Sequence, residues 1–189
     1  MNHEEVLKIF KDSDALLEGH FLLTSGRHSD RYMQCAQVLR FPEYTEKLCS
    51  VLADAFRDDA VDLVIGPAMG GILVAYETAR QLGVPNLFTE RKDGVMLLRR
   101  NFSIPQGARV LVVEDVVTTG GSVVEVMDIV REQGGVVVGV GVLVDRSNGK
   151  VDLGVKTVPV LAMEVVSYDA ADCPLCKDGS QPYKPGSRS

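Results

Sequence analysis

The chain has 189 residues, about the length of one ordinary domain. Hydrophobic residues make up 46% of it and charged residues 24%, which disfavours a disordered, collagen-like or coiled-coil chain. The 26 acidic and 20 basic side chains give a formal net charge of −6, so the surface as a whole is not suited to attract nucleic acid or anionic lipid. This balance favours small diffusible substrates.

Targeting and redox signals predict a cytoplasmic protein that does not cross a membrane. The longest apolar run, residues 136–144, is far short of the ~20 residues that a membrane helix needs. The first residues lack the basic and then apolar segments of a secretory signal. The cysteines are too few for a disulfide framework, so we expect thiols at Cys35, Cys49, Cys173 and Cys176.

The first recognisable element is a short hairpin within residues 20–40, around the turn-forming sequence from Ser25 to Ser29. Residues 42–58 then predict a helix, because Pro42 suits the first helical position and apolar residues follow at helical spacing: Leu48, Val51, Leu52, Ala55 and Phe56. The hairpin lies outside the repeating pattern that follows, and we expect it to cap a cleft.

From residue 61 onward, apolar runs alternate with helical patterns. Strands are predicted at 61–65, 84–88, 110–113 and 136–144, and helices at 72–82 and 123–133. Continuous apolar strands separated by helices are typical of a mostly parallel, twisted sheet with helices on both faces, so the fold class is α/β. Ligands bind beyond the carboxyl ends of such strands, and the loops that begin at Gly66, Thr89, Glu114 and Asp145 are expected to share one cleft.

The expected organisation is a single domain over residues 1–189. Its parts are a small hood at about 15–40, a core at about 41–172 and an irregular C-terminal tail at 173–189, rich in Pro, Gly and Ser.

The most informative segment runs from Val110 to Ser122. Two adjacent carboxylates, Glu114 and Asp115, follow a buried strand, and a Thr-Thr-Gly-Gly-Ser turn opens the next helix. Glycines allow close approach to a ligand, and the first N–H groups of a helix have no internal partner, so this turn predicts a phosphate cradle. The acids then suit the hydroxyls of a sugar or a Mg²⁺ ion. The plainer alternative is a helix capped by Ser122.

Two other phosphate motifs are excluded by spacing. The turn lacks the Gly-Lys-Ser/Thr of the nucleoside-triphosphate loop, and Gly139 and Gly141 lie inside an apolar strand rather than after it, unlike a dinucleotide fingerprint.

The segment from Val110 to Ser122 resembles the phosphoribosyl-pyrophosphate (PRPP) signature of the type I phosphoribosyltransferases. Further segments resemble the orotate phosphoribosyltransferases in particular, including their short-loop bacterial and archaeal form: residues 19–27, 89–92 and 144–146. The resemblance implies the type I phosphoribosyltransferase fold, Mg²⁺ as cofactor and a homodimer. It also implies transfer of the phosphoribosyl group from PRPP to orotate, giving orotidine 5′-monophosphate and pyrophosphate.

The resemblance also implies roles for individual residues. The catalytic ones are Arg91, Lys92 and Asp115, and those that meet orotate are Thr118 and Arg146. The residues that bind PRPP are Glu114, Asp115, Val116, Val117, Thr118, Thr119, Gly120, Gly121, Ser122, Gly70, Gly71, Arg91 and Lys92. Within this set the acids hold the ribose hydroxyls, the turn holds the 5′-phosphate, and Gly70–Gly71 faces the pyrophosphate.

Plainer interpretations remain for several of these residues. An arginine after a strand, such as Arg146, is often a solvated surface residue, although its planar guanidinium suits a carboxylate. Two glycines before a helix, as at Gly70 and Gly71, are common in α/β turns. Arg99 or Arg100 either replaces basic-loop residues that many relatives carry and this chain lacks, or belongs to a solvated charged face.

The sequence departs from the orotate pattern at two places. Many relatives carry a further Lys and a His in the basic loop, where this chain has Asp93–Met96, so no loop histidine is assigned as a general acid. In the hairpin, Thr24 replaces a Lys, and Tyr32–Met33 replaces an aromatic pair; Tyr32 either stacks on a flat base or packs.

No metal-binding residue is assigned from the sequence. Cys173 and Cys176 form half of a zinc site, but no second pair lies nearby in the chain, so plain thiols are favoured over a site shared between two subunits. His20 and His28 show no ligand spacing and are assigned to packing or to the hairpin turn.

Two rival functions stay open at this point. One is a phosphoribosyltransferase for a purine or uracil, because the signature specifies the sugar and not the acceptor base. The other is a regulator of the same fold that senses PRPP, which the acidic charge and the absence of a basic patch disfavour.

Overall fold

The computed structural model describes residues 1–23 and 25–185. Six helices lie within these residues: α1 (His3–Asp12), α2 (Ala36–Leu39), α3 (Pro42–Phe56), α4 (Gly70–Leu82), α5 (Gly121–Glu132) and α6 (Pro174–Lys177). The strands of the same residues are β1 (Leu16–Leu22), β2 (His28–Met33), β3 (Leu63–Pro67), β4 (Asn86–Lys92), β5 (Val95–Leu98), β6 (Arg109–Val117), β7 (Val136–Asp145) and β8 (Thr157–Ala162). In this part of the chain no helix is both long and apolar enough to cross a membrane.

The central sheet has the strand order β5-β4-β3-β6-β7-β8. Its pairs are parallel except β4 with β5, which form an antiparallel hairpin. A second, two-stranded antiparallel sheet consists of β1 and β2. The predicted α/β class, the mostly parallel sheet and the N-terminal hairpin are therefore confirmed.

Side chains alternate between two cores along each central strand. Val64, Leu111 and Leu143 pack with α3 and α4 on one face of the sheet. Ile65 and Val112 pack with α5 on the other face. Helices cover both faces because the inner strands are apolar on both sides, as the continuous apolar runs predicted.

Several predicted boundaries differ from the structure. The strand predicted at 110–113 continues to Val117, so Glu114 and Asp115 lie inside β6 rather than after it. Pairing with β7 reaches Val117, which explains the extension. The strand predicted at 84–88 is β4, which begins at Asn86 and continues into the basic segment through Lys92 because β5 pairs with it.

The C-terminal segment is more ordered than predicted. Residues 174–177 form α6, and Tyr183 pairs with Phe21 of β1 through a parallel bridge. The backbone N–H of Leu22 donates to the carbonyl oxygen of Tyr183 at 2.8 Å, and the N–H of Tyr183 donates to that of His20 at 2.8 Å. The C-terminal segment therefore lies beside β1 as a third segment of the hairpin sheet. Local composition does not reveal this long-range pairing.

Candidate functional site

The carboxyl ends of β3, β4, β6 and β7 lie side by side, which brings the predicted loops to one edge of the sheet. The N–H of Ala68, after β3, donates to the carbonyl oxygen of Thr89 in β4 at 2.8 Å. The N–H of Arg146, after β7, donates to that of Val117 at 2.8 Å. These bonds tie the loops after β3 and β7 to the neighbouring strands, so the four predicted loops lie along one edge of the sheet.

The turn from Thr118 to Ser122 forms a small polar pocket at the start of α5. Gly120 precedes α5 with φ +81°, a left-handed conformation that favours glycine, and no side chain caps the helix. A Cβ at Gly120 would also meet Val151 Cγ1 at 2.8 Å. Ser122 is therefore not the helix cap. The uncapped N–H groups leave a site for an anion, which supports the phosphate cradle over the plain capped helix.

The acidic pair lies directly against the second glycine loop. A Cβ at Gly70 would meet Asp115 Oδ2 at 2.2 Å, and one at Gly71 would meet Glu114 Oε1 at 3.2 Å. Gly70 and Gly71 open α4, which also lacks a side-chain cap. The structure thus joins the two predicted PRPP segments into one site, with carboxylates between two uncapped helix starts.

Replacing Gly70 with alanine is expected to raise KM for PRPP, the substrate that the sequence resemblance implies, roughly tenfold. The added methyl group occupies the space of the Asp115 carboxylate, which must move away from α4. Steady-state kinetics with PRPP as the varied substrate measures this effect. The melting temperature serves as the control for folding, and a folded variant with unchanged KM would contradict the expected crowding of Asp115.

Glu114 is buried, and its carboxylate is costly to ionise there. Burial, and next the negative charge of Asp115, raise the pKa of Glu114 to about 9. Its Oε1 accepts a hydrogen bond from the N–H of Asp115 at 3.0 Å. Without ligand the protonated form therefore dominates at neutral pH.

Replacing Glu114 with glutamine is expected to stabilise the ligand-free chain at alkaline pH. The folded-state pKa lies above the ordinary value of 4.5, so this group's contribution to stability is present below that value and is lost as the pH rises toward 9. Glutamine does not ionise, so the free energy of unfolding is expected to rise by about 1–2 kcal/mol at about pH 8 and to change less at about pH 5. Urea denaturation at both pH values measures this, with exposed Glu132→Gln as control. An equal effect of Glu114→Gln at both pH values would contradict it.

Arg146 follows β7 and is half-buried rather than a solvated surface residue. Its Nε is buried and has no hydrogen-bond partner within residues 1–23 and 25–185. Burial lowers the pKa of Arg146, while Cys35 and Tyr32 lie close enough to counteract this. A buried guanidinium donor without a partner is costly, so the position suits an anionic or carbonyl-bearing ligand.

Asp145 organises the turn that carries Arg146, a role that the sequence reasoning missed. Its carboxylate accepts hydrogen bonds from the N–H and the hydroxyl of Ser147 and from the N–H of Gly149, at 2.7–2.8 Å. An aspartate at the start of a Ser-Asn-Gly turn is the signal that could have identified this role.

The basic residues lie on the hairpin of β4 and β5, whose turn at Asp93–Gly94 was predicted. Arg91 forms an ion pair with Glu125 of α5 and donates to the carbonyl oxygen of Gly94 at 2.6 Å. Arg99 and Arg100 pair with Glu90, at 3.4 and 2.6 Å. These arginines therefore form an exposed charged face within this chain, and the structure gives no contact between them and the acidic pair among the described residues.

Thr24 of the N-terminal hairpin lies outside the residues that the structure describes.

Comparisons with known proteins agree with this arrangement. Residues 36–168 match the family model of the phosphoribosyl transferase domain. An orotate phosphoribosyltransferase of Desulforamulus reducens is 62% identical over 188 residues, covering 100% of this chain and 98% of that protein. One from Chlorobaculum parvum is 57% identical over 189 residues, with 100% and 98% covered.

Solved structures give the same result for the fold. The orotate phosphoribosyltransferase of Aeropyrum pernix superposes with a TM-score of 0.71 at 30% identity, covering 83% of this chain and 93% of that one. An adenine phosphoribosyltransferase of Thermoanaerobacter pseudethanolicus, at 20% identity, shares the fold with a TM-score of 0.61, covering 70% and 88%. The chain belongs to the phosphoribosyltransferase family.

Proposed function

We propose that the chain transfers the phosphoribosyl group from PRPP to orotate, giving orotidine 5′-monophosphate and pyrophosphate in the biosynthesis of UMP. The observation that carries the choice of acceptor is Arg146, whose buried Nε lacks a partner at the edge of the phosphate cradle. Orotate differs from uracil by a carboxylate, which a planar guanidinium binds through two parallel hydrogen bonds. The full-length relatives named for orotate support the same acceptor.

In this proposal the two glycine turns bind the two ends of PRPP. The turn from Thr118 to Ser122 binds the 5′-phosphate through N–H groups at the start of α5, and Gly70–Gly71 faces the pyrophosphate. Glu114 and Asp115 lie between them and hold the ribose hydroxyls. Thr118, in the same turn, contacts orotate together with Arg146.

The residues between the two turns fit a Mg²⁺ ion. Asp115 presents a carboxylate oxygen where Gly70 leaves room for it, and hard oxygen ligands are those that Mg²⁺ prefers. Asp115 and the pyrophosphate oxygens would hold the ion. When bound, Mg²⁺ neutralises negative charge on the pyrophosphate.

The reaction breaks the bond between the anomeric carbon and pyrophosphate and forms a bond from that carbon to a ring nitrogen of orotate. By analogy with glycoside chemistry, the sugar becomes cation-like on the way. The chain's task is therefore to orient the ribose, stabilise the departing charge and exclude water. No covalent nucleophile is needed.

Arg91 and Lys92 are proposed to stabilise the departing pyrophosphate from the neighbouring subunit of a homodimer. Within one chain Arg91 pairs with Glu125, so it must exchange this partner for pyrophosphate when the hairpin closes over the site. Such an exchange of exposed ion pairs costs little, and closure of this hairpin is expected to limit turnover.

We also propose that the protein acts in the cytoplasm.

A substrate panel tests the proposed acceptor. Purified protein with PRPP and Mg²⁺ is expected to consume orotate and to leave adenine, hypoxanthine, xanthine and uracil unchanged. Release of pyrophosphate, measured with each base in turn, provides a common readout. Turnover of another base instead of orotate would overturn the acceptor, and PRPP binding without turnover of any base would favour the regulator.

A further inference from the structure

Four metal-ligating side chains converge at the junction between the hairpin and the C-terminal segment, away from the acidic pair. They form what we call the His2Cys2 cluster: His20 of β1, His28 of β2, Cys173 before α6, and Cys176 within it. One donor atom from each residue lies within 4.8 Å of all the others. About 150 residues of chain separate the histidines from the cysteines, which is why their spacing predicted no site.

The distances within the cluster are close to those between the ligands of a tetrahedral zinc ion. Typical bonds of about 2.0–2.1 Å to nitrogen and 2.3 Å to sulfur place neighbouring ligand atoms roughly 3.3–3.8 Å apart. His20 Nε2 lies 3.0 Å from His28 Nδ1, 3.5 Å from Cys173 Sγ and 3.8 Å from Cys176 Sγ. Cys176 Sγ lies 3.3 Å from His28 Nδ1. The four donors therefore surround a volume of the size that the ion occupies.

A hydrogen-bond chain outside the cluster prepares His20 as a ligand. The hydroxyl of Ser180 donates to the carbonyl oxygen of Leu175 at 2.9 Å, so its oxygen is left to accept from His20 Nδ1–H at 2.7 Å. With its proton on Nδ1, the ring presents the lone pair of Nε2 to the cluster. Metal-binding histidines are oriented by such an outer partner.

Burial and ligand chemistry identify the class of metal. Cys173 is fully buried and His28 is 6% exposed, so two of the four donors are removed from solvent. Thiolate sulfur and imidazole nitrogen favour zinc and disfavour Mg²⁺ or Ca²⁺, and two thiolates balance the charge of one divalent ion. Four protein ligands leave no open position, which is typical of a structural site.

The short helix α6 has no apolar anchor of its own. None of the residues within α6 is buried, so this helix contributes no side chain to an apolar core. A segment of this kind gains order from a metal when packing cannot supply it. We infer that His20, His28, Cys173 and Cys176 bind one Zn²⁺ ion, which fastens the C-terminal segment to the N-terminal hairpin. This site is separate from the proposed transferase site.

Metal analysis of protein purified without a polyhistidine tag tests this inference. The reduced protein is incubated with zinc sulfate and desalted, and its zinc content is measured by elemental mass spectrometry. It is expected to retain about one zinc ion per chain. Cys176→Ser and His28→Ala are expected to retain less than about a fifth of that amount. Cys49→Ala, which removes a buried thiol elsewhere, and exposed His3→Ala serve as matched controls that retain the ion.

A spectroscopic measurement identifies the ligands independently of any folding defect in the variants. The wild-type chain loaded with Co²⁺ is expected to show thiolate charge-transfer absorption and the visible bands of tetrahedral cobalt.

Removal of zinc by a chelator is expected to lower Tm by roughly 5–15 °C, and addition of zinc is expected to restore it. Wild-type protein that binds no more zinc than Cys176→Ser, or that holds a Cys173–Cys176 disulfide under reducing conditions, would overturn the site. Either result leaves the orotate assay unaffected, so the two proposals fail separately.

Discussion

Replacing Asp115 with asparagine is expected to lower kcat/KM for PRPP by roughly 10²–10³-fold while leaving the fold intact. Asp115 Oδ2 lies in the space beside Gly70, between the two helix starts that are proposed to bind the ends of PRPP. Asparagine has nearly the same shape but removes the charge that is proposed to hold the ribose hydroxyls and a divalent cation. Initial rates at varied PRPP measure the loss, and far-ultraviolet circular dichroism checks the fold.

A matched control for this variant is Asp54→Asn. Asp54 forms an exposed ion pair with Arg57 at the end of α3, so the same chemical change there is expected to leave kcat/KM unaltered. Full activity of a folded Asp115→Asn protein would remove Asp115 from the proposed chemistry.

The second large effect is expected at Arg146. Replacing it with glutamine removes the charge that is proposed to face the orotate carboxylate, so kcat/KM for orotate is expected to fall roughly 10²–10³-fold. Arg146→Lys keeps the charge but loses the two parallel donors, and is expected to lose roughly tenfold. Orotate and PRPP are each varied at saturation of the other, and the loss is expected to appear in KM for orotate.

The control for charge loss is Arg131→Gln, which breaks an exposed ion pair with Asp128 on α5. This variant is expected to keep its KM for both substrates. An Arg146→Gln protein whose KM rises equally for orotate and PRPP would assign Arg146 to the general electrostatics of the cleft rather than to the acceptor base.

Much of the architecture follows from patterns within short segments of the chain. Apolar runs on the central strands and helical spacing in α3 and α5 are local signals, so these elements were predicted, whereas α1 and β8 were not. Local signals were weaker at the ends of strands. The extension of β4 depends on pairing with β5, and that of β6 depends on pairing with β7. Pairing across strands is a tertiary property, so the sequence pattern placed these ends too early.

The parts of the candidate transferase site differ in how clearly the local sequence indicated them. The proposed phosphate cradle is one continuous turn whose residue types all suit the same ligand, so Thr118–Ser122 indicated it directly. The acidic pair was also evident, although its contact with Gly70 was not. Arg146 was ambiguous in the sequence, because burial of its Nε is a result of tertiary packing, which places the distant residues Cys35 and Tyr32 near its guanidinium.

The sequence by itself determined the α/β class, the family and the glycine turn that is proposed to bind phosphate, because each is carried by residues adjacent in the chain. Only the tertiary structure decided that the Asp115 carboxylate occupies the space that a side chain at Gly70 would fill. The same holds for the contact of His20 and His28 with Cys173 and Cys176. The physical reason is that spacing along a chain governs contacts within one helix or turn, whereas contacts between distant segments depend on strand order and packing.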